Sequence, residues 1–316
     1  MQKLVEETDY FILYSLAEGV YAAISKPGQG AWSNAGIVDL GEELVVFDSM
    51  STPSAGRDLK TCAEKITGKK VKYLVNSHYH GDHVFGNQAF YDSTLISTSV
   101  TRYLIQKKNI IDDVSKEKQE MEDYLDALKV KIQTLDESSI KSSLENQYNE
   151  MSKVLEDLPH LKVVLPEVHF EDILILEGTK RRAELHCNGG GHTPSDTFMY
   201  LPLDNIVFMS DLVAEGLHLP LYNPEDFKSI LEKVKQLDID TLIPGHGEIG
   251  GKDKLHTFAD YVSMISDRSQ EAVRNKVPLD LFISSFKTPE EFSKWEGTKG
   301  IKGNLTTAYT FYADDN

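Results

Sequence analysis

Six consecutive residues constrain this chain more than any others: His78-Tyr79-His80-Gly81-Asp82-His83. They follow the compact apolar run 71–75, which reads as a β-strand leading into a polar segment, 76–83. Side chains two apart in an extended segment share a side, so His78 and His80 can grip one ion while Tyr79 faces away. Gly81 is expected to turn the chain, so that Asp82 and His83 project elsewhere and suit a second ion. Imidazole and carboxylate are donors for zinc, iron or manganese. The bland alternative is a set of surface histidines in a polar turn. Three His and one Asp within this segment, in a chain of 316 residues with 10 His, argue against it.

Three further stretches carry donors. Gly189-Gly190-Gly191-His192-Thr193-Pro194-Ser195-Asp196 is expected to place His192 at a strand end. Met209-Ser210-Asp211 puts Asp211 just past the apolar run 206–209, and Pro244-Gly245-His246-Gly247 follows another short strand. Each alone is weak, since a lone His beside Gly is usually a loop residue and a lone Asp after a strand usually a cap. Together they place His78, His80, His83, His192, His246, Asp82 and Asp211 at strand ends, which argues for one shared site. That donor set exceeds the four of a closed structural zinc site, and two ions sharing one carboxylate account for it with a position left for water.

The surrounding pattern is layered α/β. Runs 11–16, 20–25, 34–40 and 44–48 read as strands. Thr52-Pro53 opens a helix that ends near Gly68, and 94–98 is a further strand. Residues 100–158 are rich in charged residues and Leu and hold no Gly or Pro; Leu125, Leu128, Ile132 and Leu135, then Leu144, Tyr148, Met151 and Leu155, recur at helical spacing. Two or three inserted helices are expected there, either as a hairpin packed on the domain or in a homodimer contact, or as a cap over the site. Strands follow at 173–176, 181–187, 197–201 and 206–209, a capped helix from Asn223-Pro224 to about Leu237, a short strand at Leu242-Ile243, and a mostly helical remainder from about 252. A single domain spanning 1–316 is expected, with the helical insert at about 100–158 and a helical C-terminal extension at about 252–316.

The donor motifs resemble those of the metallo-β-lactamase superfamily, whose fold is a four-layer αββα sandwich. Its His-x-His-x-Asp-His pattern is matched by 78–83, its Gly-His-Thr by Gly191-His192-Thr193, and its final Gly-His by Gly245-His246. Its Gly-Asp appears as Ser210-Asp211, with the Gly replaced. The resemblance implies a first metal on His78, His80 and His192, a second on Asp82, His83 and His246, and Asp211 bridging. It further implies a dinuclear hydrolase, zinc being the leading metal with manganese or iron as alternatives, in which a bridged hydroxide attacks a small ester, thioester, lactone or amide. Asp82 is the candidate to orient the nucleophile or carry a proton. Trp32 and His218 are candidate substrate contacts, although packing explains each as readily. Asp rather than Cys at position 211 argues against a dedicated β-lactamase of the commonest type. Two other readings stay open: an iron-dependent redox member such as a persulfide dioxygenase, and a metal-binding protein without turnover.

Charge narrows the partners. With 33 Lys+Arg against 50 Asp+Glu, the formal net charge of −17 disfavours nucleic acid, so a small-molecule substrate is expected. Cys62 and Cys187 make no disulfide framework, no signal peptide is evident at MQKLVEETDY, and no long apolar run suggests a membrane span. The cytoplasm is the expected compartment.

Overall fold

The computed structural model describes residues 2–135, 139–297 and 300–314. Two sheets face each other. The first holds, in spatial and chain order, β1 (Lys3–Glu7), β2 (Phe11–Ala17), β3 (Val20–Ser25), β4 (Ala35–Asp39), β5 (Leu44–Phe47), β6 (Val71–Val75), β7 (Thr94–Thr98) and β8 (Val168–Phe170). The second runs β13 (Thr241–His246), β12 (Ile206–Ala214), β11 (Thr197–Leu201), β10 (Ala183–Cys187), β9 (Ile173–Leu176). Helices α1 (Pro53–Thr67) and α2 (Gly81–Val84) follow β5 and β6; α3 (Ser99–Lys108), α4 (Val114–Gln133) and α5 (Ser139–Asp157) follow β7. After β12 and β13 come α6 (Pro224–Lys235), α7 (Lys252–Arg274), α8 (Leu279–Ser285) and α9 (Gly300–Asp314).

Three apolar layers hold this together. Val20, Val38, Val45 and Phe47 of the first sheet meet Leu185, Met199, Phe208 and Ile243 of the second. Leu59 and Ala63 of α1 cover the outer face of the first sheet, at Ile37, Val46 and Leu74. Phe227 and Ile230 of α6, Phe258 and Val262 of α7 and Leu305 of α9 cover the outer face of the second. The result is helix–sheet–sheet–helix, the expected four-layer αββα order.

Local chemistry sets the ends as expected at several places. The Thr52 hydroxyl accepts from Ala55 N to start α1, and Gly68 closes it in the left-handed conformation. Asn223 caps α6 through Glu225 N and Asp226 N. Among the described residues, helices α3, α4 and α5 occupy the 100–158 stretch, where two or three were expected.

Other expectations are corrected. Strands β1 and β8 escape sequence reading because both are sheet-edge strands, the first largely exposed and the second only 3 residues long. Strand β12 runs on through Asp211, with a register break against β13 at Ser210, whose φ is +47°. Strand β13 extends through Pro244 to His246; an edge strand tolerates a proline because no ladder bond is lost on its open side. His192 lies beyond the end of β10, in the connection to β11. The chain turns at Gly81, as expected. Gly81 opens α2, and a side chain there would meet the Phe85 ring at 2.5 Å, so the glycine is needed for space.

Candidate metal centre

All the donor residues singled out in the sequence come together at one end of the two sheets. His78, His80, His192 and Asp211 offer one ligand atom each within 4.8 Å of one another, and so do Asp82, His83 and His246. His78 and His192 present Nε2 and His80 presents Nδ1: the latter lies 3.1 Å from His78 Nε2 and 3.0 Å from His192 Nε2. Asp211 stands between the groups. Its Oδ2 is 3.2 Å from His192 Nε2 and 3.7 Å from His78 Nε2, while Oδ1 is 3.2 Å from His83 Nε2 and 3.3 Å from His246 Nε2. Asp82 Oδ2 completes the second group, 3.4 Å from His83 Nε2 and 3.3 Å from His246 Nε2.

The far side of most rings is pinned. His83 Nδ1 donates to Asp48 Oδ2 at 2.8 Å, His192 Nδ1 to Pro220 O at 2.7 Å and His246 Nδ1 to Trp32 O at 3.1 Å. His78 Nδ1 meets the Ser77 hydroxyl at 3.0 Å. Such partners fix the tautomer and leave the other nitrogen free for a cation. Asp196 holds the loop of His192 by accepting from Gly191 N, His192 N and Thr193 N. Sequence reading missed Asp48 and Asp196, because carboxylates that orient ligands carry no spacing signal of their own. Asp48 also accepts from Ser77 N and from the hydroxyls of Ser77 and Ser210. That gives the serine standing in the family's glycine position a task. Trp32, Asp48 and Ser210 all hold positive φ (57°, 63° and 47°), a cost of about 1–3 kcal/mol each that clusters around the donors.

The electrostatics are those of a cation site. Burial would raise the Asp82 and Asp211 carboxyls, but the histidines beside them, His83 and His246, hold both well below the usual range. Burial opposes charge on His83 too, yet Asp211, Asp82 and Asp48 lift it well above the ordinary value. His78, buried and crowded by His83, is held well below it, and burial takes His80 down to about 4. His83 Nε2 and Asp211 Oδ1 are buried and make no hydrogen bond, although they lie 3.2 Å apart. Buried polar atoms are seldom left so. Inward-facing orphan atoms, the His78 and His80 imidazoles held uncharged, and a carboxylate with an oxygen toward each group fit divalent cations.

Two cavities open on the centre, with Trp32 in the wall of both. One, about 320 Å³, reaches from Asp82 to the inserted helices and is walled by Phe85, Ile111, Met121, Met151 and Val154. The other, about 530 Å³, lies beside His246 and is lined by Glu150, Glu215, His218, Glu296 and Asn304. His218 thus faces a cavity, but it joins neither donor group; its Nδ1 bonds Tyr261 Oη at 2.9 Å and its ring packs on Trp295. His160, His169, His186 and His256 join neither group either. Cys62 and Cys187 are buried free thiols. No helix among the described residues is long and apolar enough to cross a membrane.

Comparison with known proteins agrees with this architecture. The sequence model of the metallo-beta-lactamase superfamily matches residues 32–105 and 108–246, and the chain belongs to that superfamily. A curated relative, the linear primary-alkylsulfatase of Pseudomonas sp. (strain ATCC 19151), is 24% identical over 274 residues, covering 80% of this chain and 49% of that protein. Among solved structures, a stereoselective inverting sec-alkylsulfatase from Pseudomonas sp. superimposes with a TM-score of 0.69 at 17% identity, over 95% of this chain and 50% of that one. A metallo-beta-lactamase from Pontibacter korlensis gives 0.53 at 16% identity, over 83% of this chain and 99% of the other. The chain spans about half the length of the alkylsulfatases it matches.

Proposed function

We propose that this chain is a metal-dependent hydrolase that holds two divalent cations and cleaves an ester-type bond carrying an apolar substituent. The observation that carries the reading is the Asp211 carboxylate, with one oxygen toward each donor group, beside an apolar chamber. His78, His80 and His192 would hold the first cation, Asp82, His83 and His246 the second, and Asp211 both. Bound there, such cations supply Lewis acidity toward a substrate oxygen and bring the pKa of water toward neutrality.

The protein's own part is positioning and proton transfer. Asp211 is 3% exposed, whereas Asp82 lines the chamber, so Asp82 is the carboxylate placed to take a proton from an attacking water and pass it to the leaving group. Met121, Met151 and Val154 put an apolar wall opposite it, which favours a substrate with an alkyl or acyl chain and excludes bulk water from the reacting bond. The insert therefore acts as a cap, its apolar stripe buried in part against Phe85 of the body. The substrate classes that fit are esters, thioesters, lactones and amides, and alkyl sulfates by analogy with the alkylsulfatases.

Metal analysis with a substrate panel tests this. Two equivalents of zinc or manganese, with turnover that rises with chain length and falls in Met121→Trp, are expected. A single iron with oxygen-dependent turnover would favour the redox reading. Two bound cations with no turnover across the panel would favour a binding protein.

A further inference from the structure

Glu150 lies on α5, deep in the insert, and is 1% exposed. Both its oxygens are used by the loop 26–34: Gly28 N donates to Oε1 and Gly30 N to Oε2, each at 2.7 Å. Among the described residues no Lys, Arg or His forms an ion pair with it. Burial pushes its carboxyl up to about 7 against the pull of those two amides. A buried acid without a cationic partner is costly and is kept only where hydrogen bonds compensate. The loop also rests directly on the helix: a β-carbon at Gly28 would lie 2.9 Å from Asn149 Cβ, and one at Gly30 2.8 Å from Lys153 Cβ.

From these two glycines the loop runs straight to the metal centre. Thr52 Oγ1 donates to Gly30 O at 2.9 Å. Trp32 O receives His246 Nδ1, and the Ser33 hydroxyl donates to Asp82 O at 2.5 Å. Asn34 Nδ2 donates to Pro244 O and Gly247 O on either side of His246. The hydrogen bonds of this loop thus reach two members of the second donor group, Asp82 and His246, and no member of the first.

We infer that Glu150 is a positioning residue for the second cation: by clamping Gly28 and Gly30 it fixes the Trp32 carbonyl that aims His246, so the insert forms part of the metal centre as well as its lid. The inference rests on the two-cation reading above. Held this way, the Trp32 indole also stays between the two cavities, and His246 keeps Nε2 toward Asp82 and Asp211.

The test is calorimetric titration of the metal-stripped 316-residue chain with zinc alone, for wild type, Glu150→Ala and Glu150→Gln, beside their melting curves. Two resolvable equivalents are expected in wild type. Glu150→Ala acts one step behind the Trp32 carbonyl that meets His246, so it is expected to weaken the second at the low end of an outer-sphere loss, about 10-fold, and the first by less than about 3-fold. Glu150→Gln keeps the shape and one acceptor oxygen and is expected to fall between. If the alanine variant fails to fold, the glutamine variant decides. Equal weakening of both equivalents, or no change in either, would leave Glu150 a structural stitch and overturn the inference. A wild type that takes up one zinc only would overturn the two-cation reading and this inference with it.

Discussion

The two donor groups are anchored differently. His78 and His192 are fixed from within the sandwich: Ser77 directly after β6, Pro220 O after β12, and the Asp196 carboxylate that gathers three amides of the loop before β11. Asp82 and His246 lean outward, on the 26–34 loop, which the insert holds through Glu150, while His83 rests on the buried Asp48, which also takes the Ser77 hydroxyl that meets His78. The first group therefore depends on the sheets, which are deeply buried, whereas Asp82 and His246 of the second depend on hydrogen bonds relayed through the 26–34 loop from the insert. A cation in the second group is expected to be the easier one to lose.

The largest expected effect removes the distinction. Asp211→Ala takes the shared carboxylate from both groups, so zinc binding should weaken at both equivalents and hydrolysis should drop by more than the roughly 100-fold ceiling of outer-sphere changes. Turnover near the wild-type rate would refute the assignment of Asp211.

A medium effect separates the groups. Asp196→Asn should weaken the first equivalent about 10-fold and spare the second, whereas Asp48→Asn should weaken the second about 10-fold through His83 and the first by less, through Ser77 and His78. Titration curves in which both variants lose the same equivalent would break the comparison.

The smallest effect concerns a residue beside the second group but outside it. Burial holds His218 down to about 4, so the folded state keeps its ring neutral while the unfolded chain protonates it near 6.5. Its contribution to stability is complete above 6.5 and is lost as pH falls from there toward 4. Between pH 7.5 and 5 the wild type should lose about 1–2 kcal/mol more than His218→Asn, after allowance for partial exposure of the ring. Melting both proteins at the two pH values checks this, and identical pH slopes would show that the ring does not titrate differently on folding. Zinc affinity measured at pH 7.5 should be the same in both, since His218 belongs to neither donor group.

Much of the centre was legible because ligands are chemically conspicuous. His78-Tyr79-His80-Gly81-Asp82-His83 concentrates rare donors, and Gly-His pairs after apolar runs mark His192 and His246. The supporting shell was not legible. Asp48 looks like the end of an ordinary strand, Asp196 like a turn residue, and Glu150 like one of many acids on a charged helix. Each acquires its task from a partner far away in the chain, as Glu150 does from glycines 120 and 122 residues distant.

The sequence by itself determined the layered order of strands and helices, the capped starts of α1 and α6, and the identity of the donors. Those features are local: hydrophobic period, cap chemistry and residue type act over a few positions. Only the tertiary structure decided that Asp211 faces both donor groups, that Ser210 in its positive-φ conformation braces Asp48, and that the insert's apolar stripe turns inward over Asp82. Those depend on where separate segments meet once the two sheets close on each other, and burial then makes each unpaired carboxylate or imidazole too costly to leave without a partner.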